Sequence, residues 1–103
     1  MTMTTDEFED QLRRDGYLEI KHRFLDQGID TQAHCHDFDT RLLVQQGELT
    51  LVCGDTRRTY RAGEILEIPA GALHCECYAP EPIRFVAGLR GRAATPQPQS
   101  PTP

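Results

Sequence analysis

From Tyr17 to Leu89 the chain consists of short apolar runs broken by turn residues about every ten positions, a spacing that fits an all-β sandwich or barrel. The pattern predicts strands over 17–25, 32–36, 40–46, 48–53, 56–61, 64–68, 73–78 and 82–89. Eight short antiparallel strands suit a jelly roll, which closes or covers the strand edges that would otherwise pair with another chain. The turn chemistry agrees. Gly47 divides two apolar runs, Gly54-Asp55 has the Gly-first form of a two-residue hairpin, and Pro69-Ala70-Gly71 allows positive φ at Gly71.

A different period precedes the strands. Thr4 and Glu7 have the spacing of a capping box, Met3 and Phe8 stand at staple positions around it, and Phe8 with Leu12 form an i, i+4 apolar stripe. Acidic Asp6 and Glu7 fall in the first turn, Arg13 and Arg14 in the last, and Gly16 follows where a left-handed residue is favoured. A short helix ending near Asp15 is expected. After Arg92 the sequence AATPQPQSPTP offers nothing to bury and reads as a disordered, proline-rich tail. The organisation expected is therefore a helix in 1–16, a β-barrel in 17–91 and a tail in 92–103.

At 103 residues there is room for one domain, in which about 60% of the unfolded chain's surface can be buried. Metal binding or dimerisation would add stability at this size. A homodimer is expected, because the alternating strand from Leu18 to Leu25 carries an apolar face outside the main core. The formal charge is -5, and no Lys/Arg run with interleaved aromatics is present, which argues against nucleic acid as a partner. The start MTMTTDEFED lacks a basic, apolar leader, and no segment approaches the roughly 18 apolar residues of a membrane span, so a cytoplasmic location without membrane contact is expected. In such a compartment Cys35, Cys53, Cys75 and Cys77 stay reduced.

The chemistry lies in the histidines. In a strand, residues two apart share a face, so His34 and His36 can present two imidazoles to one point. His74, just after the Pro69-Ala70-Gly71 turn, can add a third. Three neutral imidazoles suit Zn, Fe, Cu or Ni and leave positions open for water or substrate. An HxH pair alone is a short and common pattern, so periodicity leaves metal binding and ordinary strand histidines both open. His22 has no partner at metal spacing and reads as a surface or hydrogen-bonded histidine.

The spacing of these residues resembles the cupin superfamily. Gly28, five residues, His34-Cys35-His36, three residues, Thr40, six residues and Gly47 is similar to the first cupin motif; Gly63, five residues, Pro69-Ala70-Gly71, two residues and His74 is similar to the second. The resemblance spans about 17–89 and implies a cupin-type jelly-roll β-barrel holding one divalent ion (Fe, Zn, Mn, Ni or Cu) on His34, His36 and His74. Two positions depart from it: Thr40 replaces the glutamate ligand of the first motif, and Tyr78 replaces the asparagine that usually ends the second. The set then resembles that of three-histidine cupin dioxygenases acting on thiols or β-diketones. A site with three neutral ligands keeps the ion's full charge and should favour small anionic or enolisable molecules. The activity implied is that of a dioxygenase or isomerase, or of a non-catalytic cupin that senses or stores a ligand or metal.

Glu76 stands two residues beyond His74 and should share its face, where it could orient a ligand histidine, act as a general base or occupy a coordination position. A partly solvated strand glutamate is the plain alternative. Asp39 should point the opposite way. Cys35, Cys75 and Cys77 have the parity that faces away from the histidines, and Cys53 reads as core. Arg41, Arg84, Phe38 and Tyr78 could line a pocket or be ordinary sheet residues.

Overall fold

The computed structural model describes residues 3–26, 31–78 and 81–91. Helix α1 covers Thr5–Arg14, followed by β1 (Glu19–Leu25), β2 (Phe38–Gln46), β3 (Glu48–Cys53), β4 (Thr56–Arg61), β5 (Ile65–Ile68), β6 (Cys75–Tyr78) and β7 (Ile83–Gly91). Two antiparallel sheets form, with strand orders β1-β7-β2-β5 and β4-β3-β6. Their inner faces enclose the main core, made by Leu42, Val44, Leu49, Leu51, Leu66 and Phe85 among others. The fold is all-β with one short helix, as expected, and each sheet is open rather than joined into a continuous barrel among the described residues. The proline-rich tail and Gly28 of the first motif lie outside those residues.

One expected strand is corrected. Residues 32–36 do not form one; His34 makes an isolated antiparallel bridge with His74 instead. The reason is a mismatch in the ladder. Thr31 N–H donates to the Glu76 carbonyl at 2.9 Å, whereas His34 exchanges both main-chain bonds with His74, each at 2.8 Å. Three steps on one side therefore oppose two on the other, the one-residue excess of a bulge, which interrupts regular pairing. At Thr31 the side-chain Oγ1 accepts the Glu76 N–H at 2.8 Å. Among the described residues seven strands thus stand where eight were expected.

The helix forms as its caps require. Thr4 Oγ1 accepts the Glu7 N–H at 3.1 Å, and Glu7 Oε1 accepts the Thr4 N–H at 2.9 Å. Gly16 ends it with φ +87°, while Tyr17 N–H returns to the Leu12 carbonyl at 2.8 Å. The apolar stripe docks on the outer face of the four-stranded sheet. Phe8, Leu12 and Tyr17 pack there against Leu43 and Val86, with Ile20 and Ile65 at the margin. Burying Phe8 and Leu12 completely contributes about 1.5–3 kcal/mol each. The helix therefore covers Ile20 within the chain, while Phe24 of β1 and Leu18 just before it stay exposed.

Between β2 and β3, Gly47 has φ +85°, and a Cβ built on it would stand 2.5 Å from the Pro82 carbonyl oxygen. Glycine is required there twice over, by conformation and by space. The tight turn brings β2 and β3 off opposite sheets, so that inward residues of both meet in the core.

Candidate metal centre

His34 and His74 face each other because their main chains are bonded to each other, and His36 is fixed by the turn that follows β5: its carbonyl accepts the Gly71 N–H at 2.7 Å. Each of the three imidazoles offers a nitrogen lying within 4.8 Å of the other two. His36 and His74 are buried, and the His34 side chain is 28% exposed, which leaves an approach to the cluster on its side. The structure thus brings together the three residues that the spacing singled out.

The tautomers follow from the carbonyls. His34 Nδ1 lies 2.7 Å from the Gln32 carbonyl and His74 Nδ1 lies 2.9 Å from that of Ala72. A carbonyl can only accept, so each Nδ1 carries the proton and each Nε2 turns a lone pair toward the cluster. His36 stacks on Phe38 at 4.6 Å between centroids and 19° between planes, and neither of its ring nitrogens has a hydrogen-bond partner. Burial, reinforced by His34 and His74, holds the pKa of His36 below its ordinary value. A neutral imidazole is the form that ligates a metal.

Glu76 completes the group. It is buried on β6 with the parity expected, and its Oε1 stands 3.2 Å from His34 Nε2 and 3.4 Å from His74 Nε2. With the Nδ1 atoms protonated, no hydrogen lies between these acceptors, and neither contact is a hydrogen bond. A second proton on His74 would create one; although burial opposes that charge, Glu76 and the Ala72 carbonyl together hold the His74 pKa above its ordinary value. The other carboxylate oxygen, Oε2, accepts a hydrogen bond from the Tyr78 hydroxyl at 2.9 Å. Burial and then the Glu76 charge push the tyrosine pKa far up, so the phenol keeps its proton. Among the described residues no lysine or arginine makes an ion pair with Glu76.

Thr40, where the resemblance has a glutamate, is buried on the inner face of β2 and its Oγ1 has no hydrogen-bond partner. The neighbouring Asp39 points the other way, as strand parity requires. It accepts the Ala70 N–H at 2.9 Å and pairs with Arg90 at 2.9 Å. Arg90 and Arg41 lie over the Tyr17 ring, at 4.4 and 4.6 Å from its centroid, and Arg41 pairs with Asp15 and Glu67. Arg41 therefore belongs to the helix side of the sheet, and Arg84 to an exposed contact with Phe24. Of the four residues considered for a pocket, only Phe38 and Tyr78 reach the histidine group. His22 is a surface histidine bonded to Glu9 at 2.9 Å. Cys35 is exposed and Cys53 is packed at the edge of the core.

Sequence reasoning missed three supports: Thr31 clamping Glu76, Tyr78 bonding Glu76, and Asp39 bonding the 69–71 turn. The second had a signal, since Tyr78 continues the two-residue period from His74 through Glu76. The other two depend on tertiary pairing and leave none.

The residues fit a metal ion. Buried and unpartnered here are His34 Nε2, both nitrogens of His36, His74 Nε2, Glu76 Oε1 and Thr40 Oγ1. Buried polar atoms are nearly always paired, and among these His34 Nε2, His74 Nε2 and Glu76 Oε1 are acceptors that meet without a donor, an arrangement that suits a cation.

Neither a protein-family model nor a curated protein matches the sequence. Solved structures do. A cupin superfamily protein from Desulfitobacterium hafniense superposes with a TM-score of 0.64 at 18% identity, over 71% of this chain and 66% of that one, just under two thirds of its length. A cupin-2 domain protein from Shewanella frigidimarina gives a TM-score of 0.59 at 27% identity, over 71% and 69%. A Ralstonia eutropha protein named provisionally as a mannose-6-phosphate isomerase gives 0.62 at 20% identity, over 71% and 73%.

Proposed function

We propose, for a chain whose fold is that of the cupins, that it binds one divalent metal ion on His34, His36 and His74 and uses it to engage a small anionic or enolisable molecule. The observation that carries this reading is the convergence of three imidazoles, two of them buried, with the Nε2 atoms of His34 and His74 left without a donor. A bound ion would supply Lewis acidity toward an oxygen or sulfur donor of the small molecule. The chain's own residues do the rest. The Gln32 and Ala72 carbonyls hold two rings in the ligating tautomer, and Phe38 braces the third. Buried side chains around His36 and His74 exclude bulk water, which strengthens the attraction of an anion to the site. Glu76 places a carboxylate at the same point, with Oε1 the oxygen that Tyr78 leaves free. Oxygen-dependent cleavage and isomerisation both fit such a site.

Elemental analysis of purified protein should find about one divalent ion per chain. Metal retained stoichiometrically in a His34→Ala, His74→Ala double variant would overturn the assignment. Oxygen uptake and product formation against thiols, diketones and sugar acids then separate an enzyme from a binding protein; saturable binding without turnover identifies a sensor or storage role. A reducing, cytoplasmic setting would keep the exposed Cys35 thiol reduced. No helix of the described residues is long and apolar enough to cross a membrane.

A further inference from the structure

We infer that Glu76 is a fourth protein ligand to the metal, so that the carboxylate absent at Thr40 is supplied from the strand of His74. This rests on the three-histidine reading above. The first support is distance. Two donors bound to one ion at about 2.1 Å stand about 3.0 Å apart at a right angle and about 3.4 Å apart at the tetrahedral angle. Glu76 Oε1 lies 3.2 Å from His34 Nε2 and 3.4 Å from His74 Nε2, within that interval. Such separations are unfavourable between three bare acceptors and ordinary around a shared cation.

Direction supplies the second support. A carboxylate that orients a ligand histidine accepts from its outer N–H, yet both outer nitrogens here face main-chain carbonyls. Glu76 instead meets the ligating nitrogens from the metal's side. The third support is how the carboxylate is held. Thr31 bonds the Glu76 main chain through its own N–H and Oγ1, and the Tyr78 hydroxyl occupies Oε2. Only Oε1 remains free, which makes the ligation monodentate. Tyr78 is thus a positioning residue, set on β6 in phase with His74 and Glu76. The relocation also changes the charge: three imidazoles and one carboxylate leave +1 on the site rather than +2, still attractive to a small anion.

Cobalt(II) is the probe, because its visible bands report the donor set independently of turnover. The full-length protein, Glu76→Gln, Glu76→Ala and Tyr78→Phe would be titrated with Co(II) and with Zn(II) in a chelator competition, folding being checked by far-UV circular dichroism. The wild type should bind one Co(II) per chain. Both Glu76 variants should bind at least about 10-fold more weakly, with shifted band positions and intensities. Tyr78→Phe should keep the band positions while losing a smaller part of the affinity. A folded Glu76→Ala variant whose bands superimpose on the wild type's would overturn the inference and leave the three-histidine site standing. Failure of the wild type to take up Co(II) or Zn(II) would overturn both. If the Glu76→Ala fold fails, Glu76→Gln decides by the same comparison.

Discussion

Replacing Gly88 with alanine tests whether α1 is built into the domain or merely lies on it. Gly88 sits in β7 opposite Ile20, on the sheet face that α1 covers. A Cβ there would meet Leu12 Cδ2 at 2.7 Å, Leu12 Cδ1 at 2.8 Å and Tyr17 Cβ at 3.0 Å. Leu12 is 0% exposed, so its methyl groups would have to shift among packed neighbours, while the Tyr17 ring carries two guanidinium groups at 4.4 and 4.6 Å. Overpacking of this kind costs about 1–3 kcal/mol. The φ of Gly88 is not in the left-handed region, so alanine recovers about 0.5–1 kcal/mol of strand preference. The net loss should be about 0–2.5 kcal/mol, and each kcal/mol lowers Tm by about 4–8 °C in a domain this size. Leu12→Ala alone should cost about 2–5 kcal/mol. In that background the new methyl group fills the void, and Gly88→Ala should become neutral or stabilising. Thermal and urea unfolding of the two single variants and the double variant gives the coupling directly. If Gly88→Ala costs the same with and without Leu12, or raises Tm in the wild type, the helix does not pack as described.

Asp39→Ala removes the acceptor of the Ala70 N–H and the partner of Arg90, and should cost about 1–3 kcal/mol. Hydrogen exchange at the Ala70 amide should accelerate in that variant, and unchanged protection would show that the turn is held otherwise. Phe24, exposed on the edge strand β1, and Leu18, exposed just before that strand, should be covered in a homodimer. Light scattering giving a monomer mass at micromolar concentration would contradict this, as would a dimer unaffected by Phe24→Lys.

The fold was legible because most of its strands obey local rules. β3 and β4 match their expected bounds, and α1 lies between the cap and the glycine that its sequence specifies. The failure at 32–36 has a different origin. Those residues have strand composition, but whether a ladder forms depends on a partner some 40 positions away, and the extra residue between Thr31 and His34 spoils the match. The three histidines nonetheless come together, since the two-residue period puts His34 and His36 on one side even without regular pairing. The parity of Glu76 was equally readable. Its reach to the ligating nitrogens was not, because that depends on the side-chain rotamer and on Tyr78. The support from Asp39 and Arg90 was hidden for the same reason as the bulge. It joins residues 51 positions apart across a sheet whose register no local pattern announces.

The reciprocal bridge between His34 and His74 has a consequence for redesign. Both of its bonds belong to the main chain, so the spacing of those two positions does not depend on what side chains they carry. Exchanging one histidine for cysteine or aspartate alters donor chemistry without asking the backbone to find a new arrangement. The scaffold can in this way be re-lettered for softer or harder ions, with Glu76 and Thr40 as further variable positions. A small library over these five positions, counting His36, would vary metal preference on a frame whose folding energy comes from elsewhere, the core between the sheets and the helix on their outer face.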